Sequence, residues 1–269
     1  MTFRDQHVLI TGGSSGIGLA LALRLAAAGA KVSLVARDPV KLSAAKGAVM
    51  AAAPGAIVAI ATADVSIESE VLASIAFVEK IHGPVDLLIT SAGVAQPGYF
   101  EDVPVQVFER TMAVNYLGTV YALKAVVPGM CQRRRGAVVL ISSGAGLVGL
   151  FGYTSYSPTK FAVRGLAESL RGELKTTGVT VTIVYPPDTD TPQLALENLT
   201  KPVETKALTA SGGLWTADDV ARLTLEGVSR GRFAVTPGVP LTALRWLHSI
   251  LSPYLNWRFD RVVARVRRR

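Results

Sequence analysis

Short apolar runs and longer stretches of helical periodicity alternate along the chain. The runs at residues 8–10, 31–35, 57–61, 85–90, 137–141, 179–184 and 233–235 read as strands. The stretches between them read as helices: 19–29, 39 to about 53, one beginning near Ile67, a mostly helical 105–135, 156 to about 177, and 217–230. Residues 193–211 receive no element of their own. Strands alternating with helices of this length predict an α/β fold, a doubly wound parallel sheet, whose ligands bind at the carboxyl ends of the strands. No internal repeat, low-complexity linker or boundary interrupts residues 1–238, which are expected to form a single domain. Residues 239–269 form a C-terminal extension of a different character.

Composition supports one substantial core, since 49% of the 269 residues are hydrophobic and 18% are charged. The single cysteine, Cys131, excludes an intramolecular disulfide and a cysteine-based metal site, and fits a reducing compartment. His7, His82 and His248 show no metal-ligand spacing, so no metal site is expected. The polar N-terminus leads straight into a strand and leaves no room for a signal peptide. No run of 18 apolar residues suggests a spanning helix.

Charge changes the picture at one end only. Residues 241–269 hold seven arginines against one acid, Asp260, and so carry most of the net charge of +8. Leu244, Leu247, Leu251, Tyr254, Leu255, Trp257, Phe259, Val262 and Val266 lie among those arginines. An apolar face with interspersed cations reads as a helix in an anionic membrane interface, or as a helix packed on a sister subunit. The expected location is cytoplasmic and peripherally membrane-associated. Nothing elsewhere has the basic and aromatic pattern of a nucleic-acid binder.

Candidate chemistry gathers at the expected strand ends. The first strand runs into Thr11-Gly12-Gly13-Ser14-Ser15-Gly16-Ile17-Gly18 and then a helix. That context suits a dinucleotide: glycines let the backbone approach a pyrophosphate, and the helix start supplies N–H groups and a positive dipole end. The second strand ends at Ala36-Arg37. Arg37, with Ser15 and Lys41, is read as a site for the 2′-phosphate of NADP, the alternative being Asp38 on the ribose hydroxyl of NAD. Asp64 is a candidate acceptor for an adenine amino group, or a cap for the next helix. Ser91-Ala92-Gly93 is small enough for a flat ring to lie close.

Tyr156 and Lys160 stand four residues apart on one helix face, which suits a proton-transfer pair. A phenol with a pKa of about 10 is drawn down by a nearby ammonium. Ser143, thirteen residues upstream, can hold a substrate oxygen beside the phenol, with Ser142 as the alternative. Asn115, near Gly118, either distorts its helix and holds a water or is a satisfied interior amide.

Taken in order, Thr11 to Gly18, Asp64, Ser91-Ala92-Gly93, Asn115, Ser143, Tyr156 and Lys160 resemble the motifs of the short-chain dehydrogenase/reductase superfamily over residues 7 to about 235. The resemblance implies a Rossmann fold, NAD(P) and an Asn-Ser-Tyr-Lys tetrad. Within the superfamily the chain resembles the 3-ketodihydrosphingosine reductases, on Val114 to Gly118, Gly149 to Tyr153, Lys160 to Glu168, Tyr185 to Pro192, Glu197-Asn198 and Thr200 to Thr205. Most superfamily members have Pro-Gly where this chain has Pro186-Pro187. Two features depart from the pattern: Ser91 stands where asparagine is common, and the membrane-spanning segments usual in eukaryotic members are not evident.

The resemblance implies NADPH contacts from Gly12, Ser14, Ser15, Gly16, Ile17, Gly18, Arg37, Lys41, Asp64, Val65, Ala92, Gly93, Tyr156, Lys160, Pro186, Thr189 and Thr191. Thr189 and Thr191 are expected on the carboxamide side of the nicotinamide, or as caps for a helix after Pro192. Hydride goes to a ketone carbon, Tyr156 donates a proton, Lys160 lowers the phenol pKa and bonds the nicotinamide ribose. Ser143 positions the ketone oxygen, and Asn115 holds a water that links Lys160 to solvent. The implied substrate is a long-chain lipid ketone, the 3-keto sphingoid base; a steroid, a 3-oxoacyl chain or a non-catalytic NADPH-binding role are alternatives. A homo-oligomer, dimer or tetramer, is also expected.

Overall fold

The computed structural model describes residues 2–209 and 213–268. The end of the unassigned 193–211 segment and the last arginine of the tail lie outside the described residues. Seven parallel strands form the main sheet: β1 (His7–Thr11), β2 (Lys31–Ala36), β3 (Val58–Thr62), β4 (Leu87–Thr90), β5 (Gly136–Ile141), β6 (Val179–Val184) and a last strand, Ala234–Val235. Their spatial order is β3-β2-β1-β4-β5-β6 followed by that last strand. The order reverses between β1 and β4, and such a reversal opens a crevice at the carboxyl ends of the strands.

The strands are apolar almost without interruption because both faces are covered. Leu9 packs into one core cluster while Val8 and Ile10 pack into the other. Leu88 and Val138 likewise point opposite to Leu87, Ile89, Ala137 and Val139, as the two-residue period of a strand dictates. Helices α1 (Gly16–Ala27) and α2 (Pro39–Ala52) cover one face; α3 (Glu68–His82) lies on the other.

The helical stretch expected at 105–135 is three elements: α4 (Val105–Met112), a π-helical turn (Ala113–Leu117) and α5 (Gly118–Gln132). Next comes α6 (Ser157–Glu173), which stops short of the expected end near residue 177. The unassigned segment contains α7 (Pro192–Thr200) and α8 (Val203–Thr209). Their start was written locally: Thr191 accepts a hydrogen bond from Leu194 N at 3.2 Å, and Pro192 occupies the first turn. Pro202 separates the two helices. A short parallel ribbon, β7 (Thr189–Asp190) with β8 (Trp215–Thr216), was not expected, being too short and polar to show a period. In the numbering of the chain, α9 (Ala217–Ser229) follows, and Ala234–Val235 is β9.

The C-terminal extension is one helix, α10 (Val239–Arg267). The single apolar face expected there divides in two. Leu241, Leu244, Leu251, Leu255, Phe259, Val262 and Val266 form a half-buried stripe, and Leu241 and Leu244 pack on the main core. Leu247, Tyr254 and Trp257, together with Trp246 and Ile250, stay exposed. Arg267 ties the far end to α8 through Glu204 at 3.0 Å. Among the described residues, no helix is long and apolar enough to cross a membrane.

Candidate active site

A cavity of about 400 Å³ opens at the carboxyl ends of the strands. Gly12, Ser14, Ser15, Gly16 and Ile17 form its rim on the β1 side. Gly12 has φ of +70°, and a Cβ there would lie 2.6 Å from Ala92 N. At Gly18, which does not itself line the cavity, a Cβ would collide with the Gly12 carbonyl, so only glycine lets α1 start this close to β1. Ser15 stands at the N-cap of α1 in extended geometry, and its side chain makes no capping bond. The start of α1, Gly16 and Ile17 with the N-cap Ser15, thus lines the cavity at close range to β1. These residues fit a dinucleotide pyrophosphate.

At the far end of that rim, Arg37, Asp38 and Lys41 also line the cavity. Asp38 is committed: its Oδ1 accepts from Val40 N at 2.9 Å and Lys41 N at 3.1 Å, capping α2. Arg37 is half exposed, with Asp64 Oδ2 3.7 Å away. Asp64 does not line the cavity, though Val65 does. Nor does it cap α3, whose N-cap is Ile67; it accepts from Ser66 N and Ser66 Oγ at 2.9 and 2.7 Å. Burial pushes the Asp64 carboxyl up, but the Ser66 bonds and the Arg37 guanidinium outweigh it and hold it below the usual range.

Across the cavity stand Tyr156 and Lys160, both buried. Pro158 in the first turn starts α6 directly after Tyr156, so the two side chains meet one turn apart, with Lys160 Nζ 5.5 Å from the phenol ring centre. Nζ donates to Ile141 O at 3.1 Å. A Cβ built on Gly93 would lie 3.4 Å from Asn115 Oδ1, 3.7 Å from Lys160 Nζ and 3.9 Å from Gln193 Oε1, which locates all three groups at one point. Ala92 and Gly93 line the cavity as expected, as do Pro186, Thr189 and Thr191. Thr191 also caps α7, and Thr189 Oγ1 donates to Pro187 O at 2.8 Å.

The two serines differ. Ser142 Oγ donates to the Lys160 carbonyl at 3.1 Å and braces α6. Ser143 caps a short 3-10 turn, accepting from Ala145 N at 3.1 Å, and its hydrogen bonding pulls on the Tyr156 phenol. Ser143, not Ser142, therefore stands beside the phenol. Asn115 sits in the π-helical turn and does not line the cavity. Its Oδ1 accepts from Val94 N at 2.8 Å, and its Nδ2 donates to Val94 O and Thr159 Oγ1, both at 3.0 Å. The side chain is a satisfied interior amide that ties the loop after β4 to α6.

Electrostatics correct one expectation. The phenol of Tyr156 is not drawn down: burial pushes it well up, the charge of Glu197 adds to this, and hydrogen bonds from Ser143 and Gln193 oppose it only in part. Burial lowers Lys160 to about 8, while Glu197 pulls the other way. An ammonium that is itself costly to bury is a weak lever on its neighbour. The consequence is a phenol held protonated, the form a proton donor requires.

Sequence reasoning assigned no role to Tyr153, Gln193 and Glu197, all of which line the cavity. Tyr153 donates to Glu197 Oε2 at 2.7 Å, and Gln193 Nε2 donates to Glu197 Oε1 at 2.9 Å. The Tyr153 and Tyr156 rings lie 5.6 Å apart. The four-residue spacing of Gln193 and Glu197 was a usable signal, given a helix after Pro192.

Comparison with known proteins agrees with this geometry. The family model described as short chain dehydrogenase matches residues 6–201. A 3-dehydrosphinganine reductase of Danio rerio is 45% identical over 256 residues, 94% of this chain and 77% of that protein. Two solved structures superpose closely. A short-chain dehydrogenase/reductase of Burkholderia phymatum in complex with NAD has a TM-score of 0.83 at 26% identity, covering 94% of this chain and 96% of that one. A short-chain dehydrogenase of Sphingobium yanoikuyae in complex with NADPH has a TM-score of 0.79 at 29% identity, covering 95% and 96%. A glycine cradle at the start of α1, a buried Tyr156–Lys160 pair and matches across nearly the whole chain place this protein in the short-chain dehydrogenase/reductase superfamily.

Proposed function

We propose that this chain reduces the 3-keto group of a long-chain sphingoid base, 3-ketodihydrosphingosine to dihydrosphingosine, at the expense of NADPH. The observation that carries the reading is the buried Tyr156–Lys160 pair, with Ser143, in the same cavity as the glycine cradle at α1. The identity shared with the Danio rerio 3-dehydrosphinganine reductase supports the substrate.

The first-turn N–H groups of α1 and the backbone at Gly12 and Gly16 would hold the pyrophosphate. Arg37, with Ser15 and Lys41, would hold the 2′-phosphate, since all three line this end of the cavity and Arg37 and Lys41 supply positive charge there. NADPH, when bound, supplies the hydride. Ser143 Oγ donates to the ketone oxygen and fixes it next to Tyr156. Tyr156 gives its proton to that oxygen as negative charge develops, a contribution worth typically about 10²–10⁴-fold. Lys160 keeps positive charge beside the emerging phenolate and would bond the nicotinamide ribose, and Ala92 and Gly93 are small enough to admit the ring. Asn115 contributes by bracing, through Thr159, the turn that carries Lys160.

The exposed stripe of α10 gives the enzyme a way to reach a bilayer-resident ketone. Trp246, Leu247, Ile250, Tyr254 and Trp257 face outward, and Arg245 and Arg261 lie over the Trp246 and Trp257 rings at 4.5 and 4.2 Å. Aromatic groups flanked by arginines suit an anionic lipid surface. A sister subunit in a homo-oligomer is the second reading of the same stripe.

Tyr156→Phe tests the assignment. Turnover of the sphingoid ketone falls by about 10²–10⁴-fold, while NADPH titration by fluorescence shows binding retained. Loss of NADPH binding, or turnover near that of the unmodified protein, contradicts it.

A further inference from the structure

Glu197 is buried, 7% exposed, yet it lines the reaction cavity. A carboxylate has about four acceptor sites on its two oxygens, and two are used, by Tyr153 and Gln193. Both of those partners are neutral. Among the described residues, no lysine, arginine or histidine forms an ion pair with it. The two buried lysines nearby are directed elsewhere, Lys160 to Ile141 O and Lys201 to Asp188. A buried charge without a direct ion pair is costly, and Lys160 acts on this one only through space. Here it is held in place by two hydrogen bonds and turned toward a space that takes a ligand.

We propose that Glu197 is the substrate-recognition residue for the protonated amine on the carbon adjacent to the ketone. The inference rests on the proposed sphingoid substrate, whose 2-amino group neighbours the 3-keto group. The geometry matches that adjacency: Tyr156 meets the ketone oxygen, and the neighbouring ring, Tyr153, 5.6 Å away centre to centre, holds Glu197. Gln193 donates to Glu197, and its Oε1 converges with Lys160 Nζ on the Gly93 Cβ position, at 3.9 and 3.7 Å, so it stands near both positions. An ammonium at Glu197 offsets the carboxylate charge, which adds to burial in holding the Tyr156 proton. Binding of the correct substrate thus also eases the proton transfer it needs. A neutral steroid or 3-oxoacyl ketone brings no such charge and leaves Glu197 buried and unpaired, so the same residue selects against those ketones.

The test compares two ketones of equal chain length, the 2-amino-1-hydroxy-3-ketone and its analogue lacking the amine. In the wild type kcat/KM favours the amino ketone. In Glu197→Gln, which keeps an acceptor for Tyr153, the ratio of the two kcat/KM values falls by about 100-fold, the scale of a lost buried charge partner. An equal loss on both ketones, or an unchanged ratio, overturns the inference. So does a wild type that turns over both ketones alike, a result that needs no variant to fold. A wild type that turns over the analogue and not the amino ketone overturns the proposed substrate, and Glu197's role with it. An amino-ketone preference that survives Glu197→Gln overturns the role of Glu197 alone.

Discussion

At the amino-terminal edge of the sheet, His7, Ser33, His82 and Asp86 close a polar network on themselves; at the carboxyl-terminal edge, Tyr156, Lys160 and Glu197 face a cavity. The first network is complete. His7 bonds Ser33 Oγ at 2.8 Å and Gly83 O at 2.6 Å, and Ser33 Oγ bonds His82 Nδ1 at 3.1 Å. Asp86 accepts from His7 N at 3.1 Å and from Arg135 at 2.6 Å. The second leaves a carboxylate without a direct ion pair, a phenol pushed up and an ammonium pushed down. Both edges bury polar groups in the same sheet. The difference teaches that burial alone does not mark a site; burial with partners left open toward a cavity does.

Breaking the carboxyl-terminal edge has the larger effect. Lys160→Met should lower kcat/KM by roughly 100-fold with the fold intact by circular dichroism. The unmodified enzyme should also lose kcat/KM as pH rises through about 8, because the lowered Lys160 pKa empties the ammonium there. A flat profile from pH 7 to 9.5 would falsify that role for Lys160. Arg37→Ala sharpens the cofactor end: NADPH affinity should weaken about tenfold, in line with the loss of a charge-assisted bond, and NADH affinity should change little. Equal weakening of both would remove the 2′-phosphate assignment.

The amino-terminal edge gives the smallest effect, seen in stability rather than rate. Burial lowers the pKa of His7, and burial with the nearby His7 charge lowers His82 to about 4. Each therefore takes up a proton less readily in the folded chain than in the unfolded one, where a histidine titrates at about 6.5. Below that pH the unfolded chain binds protons that the folded one refuses, so stability falls as pH drops from 6.5 toward 4. The urea midpoint should be lower at pH 5 than at pH 7, and less so in His82→Asn. A midpoint that rises on acidification contradicts the assignment.

How much of this was legible follows from where each signal lay. The seven strands were readable because both faces of the sheet are covered, so most positions of each run are apolar. The α1 cradle and the Tyr156–Lys160 pair were readable because the chemistry sits within a few consecutive residues. The network around Glu197 was not, since its hydrogen-bond partner Tyr153 lies 44 residues away in sequence. The raised phenol was equally hidden, because it depends on burial and on that same distant charge. In α10 the apolar residues were visible but not their division into two stripes, which depends on where α8 and the core stand.

The most direct test of the account is NADPH oxidation by the purified protein, with 3-ketodihydrosphingosine presented in neutral and in anionic vesicles, beside a soluble 3-oxoacyl ester and a steroid ketone. The account predicts selective turnover of the sphingoid ketone, faster on anionic vesicles. Turnover of only the other ketones would contradict the substrate, and equal rates on both vesicles would contradict the membrane role of α10.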